Sequence, residues 1–148
     1  MPVTIECVTR SHRPALELFD RARDIGLHEA TQARARERAI GGVVSGLIGP
    51  GEDVTWRAVH VGVPLTLTSR VTVFDRPRRF VDEQTRGPFR AFRHEHLFAD
   101  AGPCAGSVMT DRLTFAAPLG LLGRIAEELV LARHLRRLLE ERGRLLAD

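Results

Sequence analysis

Between residues 41 and 117 the chain is broken repeatedly by turn signals, and each piece between them is short and alternating. GGVVSGLI runs to Gly49-Pro50-Gly51, DVTWRAVHV to Gly62, and PLTLTSRVTVFD to Arg76-Pro77. RRFVDEQT runs to Gly87-Pro88, FRAFRHEHLFA to Asp100-Ala101-Gly102-Pro103, and AGSVMTDRLTFAA to Pro118. Runs of this length, separated at hairpin spacing, predict six strands in an antiparallel meander. VTIECVT at residues 3–9 alternates in the same way and predicts a strand ahead of them.

Helices are expected on either side of the meander. Ser11 is placed to cap a first helix, PALELFDRARD, with Pro14 in its opening turn and Leu16, Leu18 and Phe19 buried. A second short helix is expected over roughly residues 27–38, its RARER segment read as a solvated face. Residues 119–147 read as one long helix. Its core-facing stripe is Leu122, Ile125, Leu129, Ala132, Leu135 and Leu139. Arg133, Arg136, Arg137, Arg142 and Arg144 fall mostly off that stripe, interspersed with Glu140 and Glu141, so the helix is a poor match for an acidic partner.

The 148 residues suit one domain spanning 1–148. No apolar run reaches the roughly 18 residues of a membrane span, so no integral membrane association is expected. MPVTIECVTRSHRP has no basic region followed by an apolar stretch, and a cytoplasmic location is expected. All 22 basic residues are arginine and the net charge is only +3, which gives no ground for a nucleic-acid partner. Cys7 and Cys104 form no CxxC pair and are expected reduced, with no cysteine-built zinc site. Gly46, Gly49 and Gly51 follow no phosphate-loop pattern, and Ser45, Ser69 and Ser107 lack the GxSxG context of a serine hydrolase. No nucleotide, flavin or haem signature is present, so no cofactor is expected. Nothing indicates an oligomeric state.

Strand, two helices, six strands, one long helix: that order leaves one face of the sheet for the final helix to cover. A sheet gripping a helix tends to leave an apolar gap, which is a ligand pocket by default. On DVTWRA (53–58), RFVDEQTRGPFRAFRHEHLF (79–98) and MTDRLTFAAPLG (109–120), the chain resembles the START-like superfamily, also called SRPBCC or helix-grip proteins. Within it, the chain resembles in particular the bacterial members labelled polyketide cyclase/dehydrase-like. The resemblance implies an α+β helix-grip fold: a curved seven-stranded antiparallel sheet wrapped around a long C-terminal helix, with two short helices after strand 1. It also implies an internal cavity for an apolar or amphipathic molecule such as a lipid, an isoprenoid or a polycyclic compound. Binding, with transport or sequestration, is the function expected. A cyclase or dehydratase acting on a polyketide-like substrate is the alternative.

The residues suggest where such a ligand would sit. Phe92, His94, His96 and Phe98 share one face of their strand, while Arg93 and Glu95 on the other face suit solvent. On the next strand Met109, Asp111, Leu113 and Phe115 share a face, so Asp111 is expected beside one of the histidines. Three readings compete: a satisfied polar cluster in the core, a cluster that orients a ligand's polar head, and a general acid or base. The candidate binding set is Trp56, Phe92, His94, His96, Phe98, Met109, Asp111, Phe115, Ile125 and Leu129. Any catalytic group would come from His94, His96 and Asp111. His-x-His with Asp111 offers too few ligands for a metal site to be expected. Phe80 favours Asp82 and Gln84 facing inward, but a one-residue shift in register would turn Glu83 inward instead.

Overall fold

The computed structural model describes residues 2–60, 62–117 and 124–148, with the backbone alone for 124–128. After β1 (Val3–Ser11) come α1 (Ala15–Ala22), α2 (Ile25–Thr31) and a single 3-10 turn, Ala33–Ala35. The strands β2 (Arg38–Gly42), β3 (Asp53–His60), β4 (Val63–Asp75), β5 (Arg79–Arg86), β6 (Ala91–Asp100) and β7 (Ser107–Ala116) follow in series. The chain then forms α3 (Arg124–Ala147). Across the sheet the order is β1-β7-β6-β5-β4-β3-β2, so the meander is continuous and β1 adds to its far edge against β7. The 24 residues of α3 span about 36 Å and lie across the sheet, which makes the architecture α+β helix-grip.

Register carries the inward alternation from strand to strand. Phe92, His94, His96 and Phe98 on β6 face Phe115, Leu113, Asp111 and Met109 on β7. The core divides around this seam. Toward α1, Phe19 makes edge-on contacts with Phe74, Phe80 and Phe98 at centroid distances of 5.4, 5.1 and 5.2 Å. Toward the other end, Leu135, Leu138 and Leu139 of α3 pack on Ile5, Leu113, Phe115 and Phe89.

Several expectations change. Residues 43–48 form no strand. Gly42 (φ +67°) and Gly46 (φ +76°) take the backbone through the left-handed region and end the extended run, so β2 lies earlier, where a helix end was expected. Ser11 does not cap α1. It is the last residue of β1, and its hydroxyl donates to the Ala147 carbonyl at 2.8 Å. The first helical amide, Ala15 N–H, is instead received by Asp100 Oδ1 at 2.8 Å. The buried face of α1 is Ala15, Leu18, Phe19 and Ala22, at spacings of three and four, which leaves Leu16 exposed. Glu95 is buried although it points away from the core, because Arg79 and Arg112 bind its two oxygens from either side, at 2.6 and 2.9 Å.

Gly106 marks where the turn before β7 presses on the end of β1. Its φ is +76°, and a Cβ there would lie 1.9 Å from the Ser11 carbonyl oxygen. Gly106→Ala is expected to cost about 2–4 kcal/mol, from left-handed strain plus a backbone collision. Gly46→Ala, with the same φ of +76° but open space around it, should cost only about 1 kcal/mol. Paired thermal denaturation checks the contrast, and equal losses would contradict it.

Candidate functional site

Five side chains from four elements meet beneath α3. Asp82 comes from β5, His94 and His96 from β6, Asp111 from β7 and Arg142 from α3. Strand pairing places Asp82 opposite His94 and His96 opposite Asp111. His96 Nε2 donates to Asp82 Oδ2 at 2.8 Å, and its Nδ1 lies 3.2 Å from Asp111 Oδ1. His94 Nε2 donates to the same Asp111 oxygen at 2.9 Å. Arg142 Nη2 donates to the Ala22 carbonyl at 2.7 Å, and its Nη1 stands 3.8 Å from Asp111 Oδ1. The rings stack as Phe80, His96, His94, with centroid separations of 4.0 and 3.7 Å.

Charge follows from these contacts. A carboxylate only accepts, so an imidazole that faces a carboxylate oxygen through each nitrogen holds both protons. Burial alone would lower the pKa of His96, but the hydrogen bonds and charges of Asp111 and Asp82 outweigh it and raise the value. His94, stacked on that cation and buried, is pulled down and stays neutral. Burial pushes Asp111 upward, yet the two histidines hold its carboxyl far below the usual range. Asp82 is likewise lowered against its own burial, chiefly by the His96 hydrogen bond. Asp82, His94 and His96 bring possible metal-ligand atoms within 4.8 Å of one another. The set does not suit a cation: both His96 nitrogens carry protons, and the Arg142 guanidinium stands beside Asp111.

A cavity of about 90 Å³ lies between sheet and helix, walled by Trp56, Ala58, Leu65, Leu67, Phe89, Phe92, Leu113, Leu135, Leu138 and Leu139. A second chamber of about 40 Å³ is lined by Phe80, His96, Arg142 and Ile25, among others. His28, Trp56, Ser69 and Asp82 line both. The pair is on the scale of a cavity that takes one aromatic ring, about 150 Å³. Phe89 is held at the wall by Gln84, whose side-chain amide donates to the Phe89 carbonyl at 2.8 Å and accepts from its N–H at 3.2 Å.

A second polar group also lines the main cavity. His28 stacks on Trp56 at 4.2 Å and bonds Glu37, and His60 Nδ1 meets His134 Nε2 at 3.1 Å. Burial would raise Glu37, but His28 overrides it and lowers the carboxyl. Burial lowers His60.

The anticipated residues separate into groups. Trp56 and Phe92 line the main cavity and His96 lines the second chamber. His94 and Asp111 are buried behind them. Phe98 and Met109 are packed into the core under α1, and Phe115 into the core under α3. Leu129 is a correction. It is 59% exposed, because at 3.6 residues per turn it stands about 180° around α3 from Leu138. The side chain of Ile125 lies outside the described residues, as does Leu122. Arg142 is the opposite correction: only 1% exposed, it lies within about 20° of Leu135 on the helix surface and belongs to the buried stripe. Asp82 and Gln84 face inward, as the Phe80 alternation favoured. His28, Glu37, His60 and His134 carried no sequence signal, since their meeting depends on how α2, β3 and α3 close together.

Comparison with solved structures gives the same architecture. The Zhui aromatase/cyclase from Streptomyces sp. R1128 superposes with a TM-score of 0.79 at 14% identity, covering 99% of this chain and 92% of that one. A START superfamily protein from Mycobacterium smegmatis gives 0.70 at 13%, covering 97% and 98%. Ara h 8.0201 gives 0.60 at 17%, with both chains covered completely, 100% and 100%. No family model and no curated protein matches the chain. The chain has the START-like, SRPBCC fold, and at these identities the likeness is one of fold.

Proposed function

We propose that the protein binds an apolar or amphipathic small molecule, of lipid, isoprenoid or polycyclic type, between the sheet and α3. One observation carries this reading. The cavity is apolar over most of its wall, yet at one end it meets Asp82, a carboxylate 24% exposed and backed by His96. A mostly apolar slot with a few placed polar groups, here Asp82 together with His28, Glu37 and His60, is how small-molecule sites give both affinity and orientation. The same fold in an aromatase/cyclase and a START superfamily protein supports it.

Native mass spectrometry of the freshly purified protein tests it. The expected spectrum shows a stoichiometric one-to-one adduct, either carried through purification or formed on adding an apolar amphiphile. No adduct with any such compound, or a non-saturating ladder of adducts, would count against the reading.

A second reading, a cyclase or dehydratase acting on a polyketide-like substrate, has one observation in its favour. Asp82, His96 and Asp111 form a continuous path from cavity to buried carboxylate along which a proton can be held or moved. The group facing the cavity is then Asp82, with His96 positioning it. Turnover lost in His96→Ala, with binding kept, would favour the enzyme.

A further inference from the structure

We infer that the ligand's head is neutral and donates a hydrogen bond, as an alcohol or phenol does, and that it reaches Asp82 while the apolar body fills the main cavity. This rests on the cavity being a binding site, and it excludes fatty-acid-like and other anionic heads. The chamber beyond Asp82 carries polar groups: Arg142 and His96 line it, and Arg142 Nε and Nη1 are buried with no hydrogen-bond partner among the described residues. Its charge is already balanced. Around it Arg142 faces Asp111, Arg23 bonds Asp20, His96 lies between the carboxylates of Asp82 and Asp111, and Asp24 adds a further carboxylate. Glu37 adds a further carboxylate to the main cavity wall, and among the described residues no arginine lines that cavity. A carboxylate head would be desolvated against Asp82 with no free cation to meet it, because both guanidiniums that line the chamber beyond Asp82 are engaged: Arg142 faces Asp111 at 3.8 Å, and Arg23 bonds Asp20 at 2.8 Å and the Ile48 carbonyl at 3.1 Å. A hydroxyl meets no such opposition. The one hydrogen bond the Asp82 carboxylate makes among the described residues runs through Oδ2, which leaves Oδ1 to accept from the ligand. The hydroxyl oxygen can in turn accept from Arg142, which lines the same chamber as Asp82.

Trp56 is the only tryptophan, there is no tyrosine, and Trp56 lines both chambers, so its emission reads occupancy directly. Three probes of matched length would be titrated: n-octanol, heptyl methyl ether and octanoate, at neutral pH. The expected order is octanol, then ether, then octanoate, with at least a ten-fold gap between octanol and octanoate. In Asp82→Asn, which keeps the shape and removes the charge, that gap should close to about three-fold or less. Octanoate binding as tightly as octanol would overturn the inference while leaving the cavity reading intact. So would a gap unchanged by Asp82→Asn. If none of the three binds, the cavity reading falls and this inference falls with it. Should the variant fail to fold, the wild-type ratio alone decides.

Discussion

Asp111→Ala is expected to destabilise the protein by about 3–5 kcal/mol, a large part of the ~5–15 kcal/mol that holds a domain of this size together. One carboxylate oxygen receives His94 at 2.9 Å and stands 3.2 Å from His96 and 3.8 Å from Arg142. Its removal leaves a guanidinium and an imidazolium buried with too little negative charge. Asp111→Asn should cost less, since the amide oxygen still accepts from His94. Asp111→Ala combined with Arg142→Met should recover part of the loss, because both halves of the buried ion pair are then gone. Urea denaturation of these three variants, and of Arg142→Met alone, checks the ranking. A loss below about 1 kcal/mol for Asp111→Ala, or a double variant as unstable as the sum of its parts, would contradict it.

The pH dependence has a definite sign. The Asp111 carboxyl titrates lower in the folded state than in the unfolded chain. Its contribution is therefore fully present above the ordinary carboxylate value near 4 and is lost only as pH falls through its lower folded value. His96 is raised, so its contribution is fully present below its unfolded value near 6.5 and fades as pH climbs through the higher folded value.

Ala58→Phe is the second large effect. Ala58 is buried on β3 with its methyl in the cavity wall, two residues along the strand from Trp56. A benzyl group there occupies most of the roughly 90 Å³ available. Binding should weaken at least a hundred-fold, about 2.7 kcal/mol, while overpacking costs the fold about 1–3 kcal/mol. Ile40→Phe, the same ring on an exposed side chain of β2, serves as the control and should bind as the wild type does.

Much of this was legible in the sequence because a strand reports its faces directly. Period-two alternation put His94, His96 and Asp111 on inward faces, and hairpin order made their strands neighbours. Asp82 was only half legible: its face depended on the register of β5, which short-range pattern does not settle. Arg142 was hidden by composition. Among many arginines a buried one looks like its solvated neighbours, although its helical angle matches Leu135 and Leu146. The errors at β2 and Leu129 have a common source. Apolar character alone predicts burial, but backbone turns at Gly42 and Gly46 and the angular position of Leu129 put these residues elsewhere. The His28–Glu37 and His60–His134 contacts arise only from tertiary closure, and local pattern holds no trace of them.

The most direct measurement follows the single indole N–H resonance of Trp56 while n-octanol is added to the wild type and to Ala58→Phe. The account predicts a saturable one-to-one shift in the wild type and none over the same concentrations in the variant. An unmoved wild-type resonance, or the same shift in both proteins, would contradict the claim that the space between sheet and helix is a binding site.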